Sequence, residues 1–429
     1  MNFSNNQKKI NSYLLKLTFF FFITINIIYF VLHLTSNIEV SNYAYNELFI
    51  NYQAGFIRRG FLGELAWQLN EIFLIKPINF FSTFFLFIYL SQIFIFFYLL
   101  HNYVISKTIF ILIFFSPALI LFQIYNPDLY YIKDGIIKFS ILLHAFIFYY
   151  FVIIKKENQI YLNYLKLLIL PFLTLVILTH EYQIFFLSVH YLISLGIIKN
   201  KKESKSLIKI YSFLIIPVFL VVFFNGNQTQ FENLSNILMK FNVEINPYLG
   251  GGLYHYIGGF YKWHFYYFTY RDFLYLLLSF FLGVYLFYLL FETLIQKKVL
   301  RFQSNFQKKY INYFLPCFLP FFFTSDHGRE FGLIAFYIIA FFSTLNLNEQ
   351  KLIIFNNQLV KNIINKSIIV FFLIFYVFMW KLDQFAGFGF RDQTNTMFES
   401  SLFAEFVKLI KYLYSYIDLN IINLPEIKL

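Results

Sequence analysis

The segment "FFFTSDHGREFGL" places Asp326, His327, Arg329 and Glu330 within five residues, around Gly328 and between apolar flanks. Ionisable side chains next to apolar runs persist only where they face a wet cavity or each other, so this cluster reads as a site that holds an anion and moves a proton. Three further segments share its character. "LTHEYQ" carries His180 and Glu181 between two apolar runs, and it is not a zinc-binding H-E-x-x-H because position 184 is Ile. "NPDLYYIKDG" sets Lys133 beside Asp134, a pair that a solvated turn would also explain. "NYQAGFIRRGFLGEL" puts Arg58 and Arg59 before Gly60.

The spacing after Gly60 predicts an amphipathic helix lying in a membrane interface, with Phe61, Leu65, Leu69, Ile72 and Phe73 on one face. Two guanidiniums at a helix start favour a phosphate, because unpaired backbone N–H groups and bidentate donors coincide there. The competing reading is that both arginines reach lipid headgroups. A Gly- and aromatic-rich stretch, "PYLGGGLYHYIGGFYKWHFYYFTYRD", ends in Arg271 and Asp272. Its flat rings suit either a sugar or the aromatic belt of a membrane interface.

The elements that must carry these residues are membrane helices. Of 429 residues, 59% are hydrophobic and only 13% charged, and the mean hydropathy is +0.63. An ordinary soluble domain is roughly 25% charged. The net charge of +12 would suggest nucleic acid in a soluble protein, but here it is sorted by loop. The single cysteine, Cys317, excludes a disulfide framework and a thiolate cluster.

Apolar runs predict an all-α polytopic bundle of about eleven spans, with interfacial amphipathic helices on the outer face. The runs are 14–34, 80–100, 108–125, 136–154, 161–178, 182–198, 207–224, 273–292, 311–324, 331–345 and 367–381. The first is read as an uncleaved helix, being too long for a signal-peptide core. The whole chain, 1–429, forms one membrane domain. It has a first outer loop at 36–79, a large outer loop at 225–272 and an outer tail at 383–429 with an interfacial helix.

With the N-terminus inside, the inner segments hold 20 of the 34 basic residues and 4 of the 22 acidic ones, as the positive-inside rule requires. The C-terminus is then outside, and the expected location is a bacterial cytoplasmic membrane. Five of the six arginines, Arg58, Arg59, Arg271, Arg329 and Arg391, fall on the outer side, where topology does not ask for positive charge.

No inner segment is long enough to fold a nucleotide site, and there is no G-x-x-x-x-G-K-[ST], G-x-G-x-x-G or D-x-D. A sugar donor would therefore be carried by a lipid phosphate. Arg58, Arg59, Lys133, Arg271 and Arg329 would hold that phosphate and stabilise it as a leaving group. Asp326, Glu181 or Asp134 would take the proton of the acceptor hydroxyl, supported by His180, His327 and Glu330. No residues are assigned to a metal; a divalent cation is compatible with the sequence but not required by it. The partners expected are membrane lipids, a lipid-linked sugar and a glycan or glycolipid acceptor, and not nucleic acid.

This layout resembles the glycosyltransferase C superfamily, multi-pass enzymes that use polyprenyl-phosphate or polyprenyl-diphosphate donors. That resemblance implies an acidic residue in the first outer loop, for which Glu39, Glu47, Glu64 and Glu71 are the candidates. The pieces "GFIRRGFLG", "IKDG", "THE" and "DHGRE" are also similar to segments of uncharacterised bacterial membrane proteins. The chain departs from the superfamily in lacking D-D, D-E or D-x-D in that loop, and a large soluble C-terminal domain. Other activities compatible with the sequence are a polysaccharide polymerase or ligase of the O-antigen type, a transporter or flippase, and a non-catalytic membrane subunit.

Overall fold

A computed structural model of the chain describes residues 3–34, 47–101, 107–122, 131–198, 201–224, 226–239, 277–298, 300–301, 310–322 and 327–347. The expected tail at 383–429, the span at 367–381, most of the 225–272 loop, and Glu39, Arg271, Asp326 and Arg391 lie outside the described residues.

The described chain is all-α apart from one antiparallel pair of two-residue strands, β1 (Leu300–Arg301) and β2 (Asn346–Leu347). The helices begin with α1 (Phe3–Leu34), α2 (Phe61–Phe73), α3 (Pro77–Leu100) and α4 (Lys107–Phe114). Next come α5 (Asp134–Phe148), α6 (Asn158–Tyr164), α7 (Leu170–Thr179) and α8 (Gln183–Leu195). The last are α9 (Lys201–Tyr211), α10 (Ile215–Phe223), α11 (Gln228–Met239), α12 (Leu286–Gln296) and α13 (His327–Ser343). Wide helical turns extend α5 to Ile154 and join α6 to α7 through Leu165–Ile169.

Five helical stretches are long and apolar enough to cross a membrane: Pro77–Leu100, Asp134–Ile154, Asn158–Thr179, Lys202–Phe223 and Leu277–Gln296. Shorter apolar stretches run over Tyr13–Ile28 and Gln183–Leu195. Large apolar side chains stand exposed on these helices, among them Leu167 at 80% and Phe223 at 66%, a surface suited to lipid.

Among the described residues there are five such stretches, against about eleven expected over the whole chain, and proline interrupts two of the expected runs. Within the run at 108–125 the helix Lys107–Phe114 stops short, because Pro117 brings no N–H and Ser116 Oγ instead accepts the N–H of Ala118 at 3.2 Å. The run at 311–324 holds Pro316 and Pro320 and winds as tight three-residue turns, Tyr310–Tyr313 and Leu315–Phe322.

The core packs α5 centrally, with α3 and α13 against it and α1 behind α3. Glycine permits two of the closest approaches. A Cβ at Gly63 would stand 2.1 Å from Ile50 O, so α2 can lie directly on the backbone of Leu48–Ile50. A Cβ at Gly135 would meet the Tyr89 ring at 2.9 Å, so the first turn of α5 sits on α3. Gln92 completes that junction by donating to Gly135 O at 2.6 Å.

Candidate functional site

The starts of α2, α5, α8 and α13 meet at one end of the bundle, together with the end of α7, and the charged motifs sit on these termini. Helix starts carry unpaired N–H groups and partial positive charge, which favours the carboxylates found there. Asp134 is the first residue of α5, and Glu181 lies in the three-residue link His180–Glu181–Tyr182 between α7 and α8. Arg58 and Arg59 directly precede Gly60, which caps α2. Arg329 is in the first turn of α13.

Their side chains, with Glu47, form four arginine–carboxylate ion pairs in two groups, one around Asp134 and one around Glu181. Arg329 donates from Nε to Asp134 Oδ2 and from Nη2 to Asp134 Oδ1, each at 2.9 Å. Arg59 donates from Nε to both oxygens of Glu181, at 2.9 and 2.8 Å, and Nη2 adds a further bond to Oε1. Its Nη1 reaches Glu47 Oε1 at 2.8 Å. Arg58 Nη1 stands 3.6 Å from Glu181 Oε1. Lys133 Nζ donates to the Arg59 carbonyl at 2.8 Å. Arg59 is held in the left-handed backbone region, φ 68°, which costs a non-glycine residue about 1 kcal/mol or more and persists only where its surroundings fix it. Here the Lys133 bond and the two carboxylates do so.

His180 connects the pairs. Its Nδ1 accepts the backbone N–H of Tyr182 at 3.3 Å, so the neutral ring carries its proton on Nε2, 3.7 Å from Asp134 Oδ1. Nδ1 is also 3.7 Å from Glu181 Oε2.

Glu47, Arg58, Lys133, Asp134, His180, Glu181 and Arg329 are all buried. Burial drives the Lys133 ammonium down to about 8, against the opposing pull of Glu47. Burial likewise takes His180 down to about 4, so it is neutral at pH 7. For Glu47 and Glu181, burial is the largest single influence and would raise the carboxyl, but the surrounding cations together, Arg59 first among them, outweigh it and hold both below the ordinary carboxylate range. Among the described residues, Arg58, Arg59, Lys133 and Arg329 thus face Glu47, Asp134 and Glu181 in a dry environment, where each charge persists only beside its opposite.

The sequence-predicted residues are thus largely brought together. Arg58, Arg59, Lys133, Asp134, His180, Glu181 and Arg329 meet, and they span more than 270 positions of the chain. Glu330 is buried one residue beyond Arg329. His327 opens α13, but its side chain, like Asp326 and Arg271, lies outside what is described. The pairing itself was not foreseen. The arginines expected to hold a phosphate grip the carboxylates expected to act as bases.

Of the described acidic candidates in the first loop, Glu47, Glu64 and Glu71, only Glu47 joins the cluster. Glu64 instead accepts Tyr52 N at 3.0 Å, and Glu71 accepts the Trp67 indole N–H at 2.8 Å. Lys138, one turn beyond Asp134, is buried with Nζ 4.5 Å from the Phe122 ring centre and 5.0 Å from that of Phe336. Its spacing of four from Asp134 was the available signal. Among the described residues, no group of three or more His, Cys, Asp or Glu is placed to hold a metal ion.

Fold and site together define a membrane-type helical bundle with a buried arginine–carboxylate cluster at one end. Comparison with known families, curated proteins and solved structures finds no match.

Proposed function

We propose that this cluster is the site of a membrane glycosyltransferase, which moves a sugar from a polyprenyl-phosphate or polyprenyl-diphosphate carrier to a glycan or glycolipid of the cell envelope. Its working face would be the outer face of a bacterial cytoplasmic membrane, with the N-terminus inside and the C-terminus outside. One observation supports the reading above others. Arginines from two remote segments converge with carboxylates from three others in a single buried cluster.

The pairing suggests how binding would arm the site. A donor phosphate competes with Glu181 for Arg58 and Arg59, or with Asp134 for Arg329, because guanidinium accepts phosphate and carboxylate in the same bidentate geometry. The carboxylate so displaced loses the cation that kept it acidic and becomes a base. The acceptor hydroxyl then attacks the anomeric carbon and gives its proton to that carboxylate. The bond to the carrier phosphate breaks, and the phosphate leaves with the electron pair, held by the arginines. Asp326 and Arg271 keep the roles the sequence suggests for them.

The test is turnover of a radiolabelled polyprenyl-phosphate sugar by the full chain in nanodiscs. Turnover that disappears in Glu181→Gln and Asp134→Asn supports the reading. Absence of turnover with mono- and diphosphate donors, together with unchanged surface glycans in cells carrying Arg58→Ala or Arg329→Ala, removes it.

A further inference from the structure

A second polar feature runs through the apolar body and shares no side chain with the charged cluster. Ser140 and His144 lie four apart on α5, and Gln183, His190 and Ser194 lie on one face of α8. Tyr161 of α6, Tyr211 of α9 and Tyr337 of α13 close around them. All but Tyr211 are fully or almost fully buried.

Their hydrogen bonds form one continuous row. Tyr337 donates to Gln183 Oε1 at 3.1 Å, and His190 Nε2 lies 3.3 Å from the Tyr337 hydroxyl. His190 Nδ1 and His144 Nδ1 are 2.9 Å apart, with the rings within 9° of parallel. His144 Nε2 meets the Tyr161 hydroxyl at 2.8 Å, which meets Ser194 Oγ at 2.7 Å, which meets the Tyr211 hydroxyl at 2.9 Å.

The direction of the bonds follows by elimination. An amide oxygen only accepts, so the one proton of Tyr337 goes to Gln183, and His190 must donate from Nε2. A neutral His190 then accepts at Nδ1, so His144 donates there and accepts at Nε2 from Tyr161. Tyr161, having spent its proton, accepts from Ser194; Tyr211 gives its own proton to His190 O at 2.9 Å, so its contact with Ser194 carries none and the row begins at Ser194. Every donor points the same way, from Ser194 to Gln183.

The row also has reach. Gln183 to Ser194 covers eleven residues of α8, about 16 Å of rise, roughly half of a hydrocarbon core. Gln183 lies two residues from Glu181, at the charged end. Tyr161 is the fourth residue of α6, five positions after Lys156 in the link between the two helices, at the opposite end. Gln183 Nε2 is buried with no partner among the described residues, a position that a water molecule satisfies and that would lengthen the row beyond Gln183.

We infer that this row conducts protons through the apolar body between its lysine-bearing end and the charged cluster. Hydroxyls alone would serve as glue between helices. Two histidines in direct contact add groups that take a proton on one ring nitrogen and release it from the other. A proton reaching Ser194 lets each member pass its own forward: Ser194 to Tyr161, Tyr161 to His144, His144 to His190, His190 to Tyr337. Tyr337, on receiving that proton, turns its hydroxyl away from Gln183 Oε1 and releases its own to a water molecule at that end, so that one proton leaves for each that enters and only O–H and N–H bonds change. Turning of the hydroxyls and rings restores the starting direction.

The experiment uses the full chain in liposomes that enclose a pH-sensitive dye, with a potassium gradient and valinomycin setting the voltage. Proton entry faster than in protein-free vesicles is expected for the wild type. His144→Phe and His190→Phe should fall to the protein-free level. Tyr161→Phe, which keeps the ring and loses only the hydroxyl, should do the same and decides the matter if the histidine variants fail to insert. Wild-type entry no faster than in empty vesicles, or a folded Tyr161→Phe as fast as the wild type, overturns the inference. No sugar donor is present, so this result is independent of whether the cluster transfers glycosyl groups.

Discussion

Arg329 and Asp134 meet through two parallel N–H···O bonds of 2.9 Å although 195 residues separate them. The pair pins the start of α13 to the start of α5. It is buried, so its value is asymmetric: desolvation offsets much of the attraction, but removing one partner strands the other. Arg329→Ala is therefore expected to destabilise the protein by about 3–5 kcal/mol, and the double variant with Asp134→Ala by less than Arg329→Ala alone. Thermal unfolding in detergent reads this. A double variant less stable than either single one would contradict it.

Arg59 offers a sharper test of geometry. Arg59→Lys keeps the charge but cannot hold Glu181 through two nitrogens while reaching Glu47. It should lose most of the stability or activity that Arg59→Ala loses. If Lys proved equivalent to Arg, the charge and not the fork would be what matters.

The pH dependence of stability follows from His180. Its folded value of about 4 lies below the ordinary imidazole value near 6.5, so the unfolded chain binds more protons between these limits. Stability should therefore be full above pH 6.5 and fall as pH drops towards 4, by about 3 kcal/mol from this residue. Glu47 and Glu181, held below the carboxylate range, add losses only further into acid. Melting curves of wild type and His180→Gln between pH 7 and 4 should converge as the pH falls, and parallel curves would refute the assignment.

Sidedness can be read by labelling. With Cys317→Ala as background, a cysteine at Gln53 and one at Lys156 should react from opposite sides of the membrane with an impermeant maleimide. Gln53 sits at the charged end and Lys156 between the spans Asp134–Ile154 and Asn158–Thr179. Reaction of both from one side would break the topology.

The residue types told most of what the site contains, because ionisable groups in an apolar chain stand out singly. Arg58, Arg59, Asp134, Glu181 and Arg329 needed no structure to be noticed. Their pairing did, since sequence order carries no information on which of several termini face one another. The polar row was harder to see. Serine and tyrosine are unremarkable in a chain with 35 tyrosines, and the row appears only when α5, α6, α8, α9 and α13 are brought together. Hydropathy gave no sign of where proline changes the winding, at Ser116–Pro117 and between Tyr310 and Phe322.

That proline-rich segment has a consequence for how the protein is assembled. Its tight turns leave carbonyls that an α-helix would have used, and one of them, Tyr313 O, is satisfied by Ser188 Oγ of α8 at 2.6 Å. The Cys317 thiol in turn meets Phe185 O of the same helix at 3.7 Å. In lipid alone such groups would go unanswered. The segment Tyr310–Phe322 therefore enters as a passenger of α8, made later by the ribosome yet stable only against a helix already in place, so biogenesis here must run in an order the chain itself enforces.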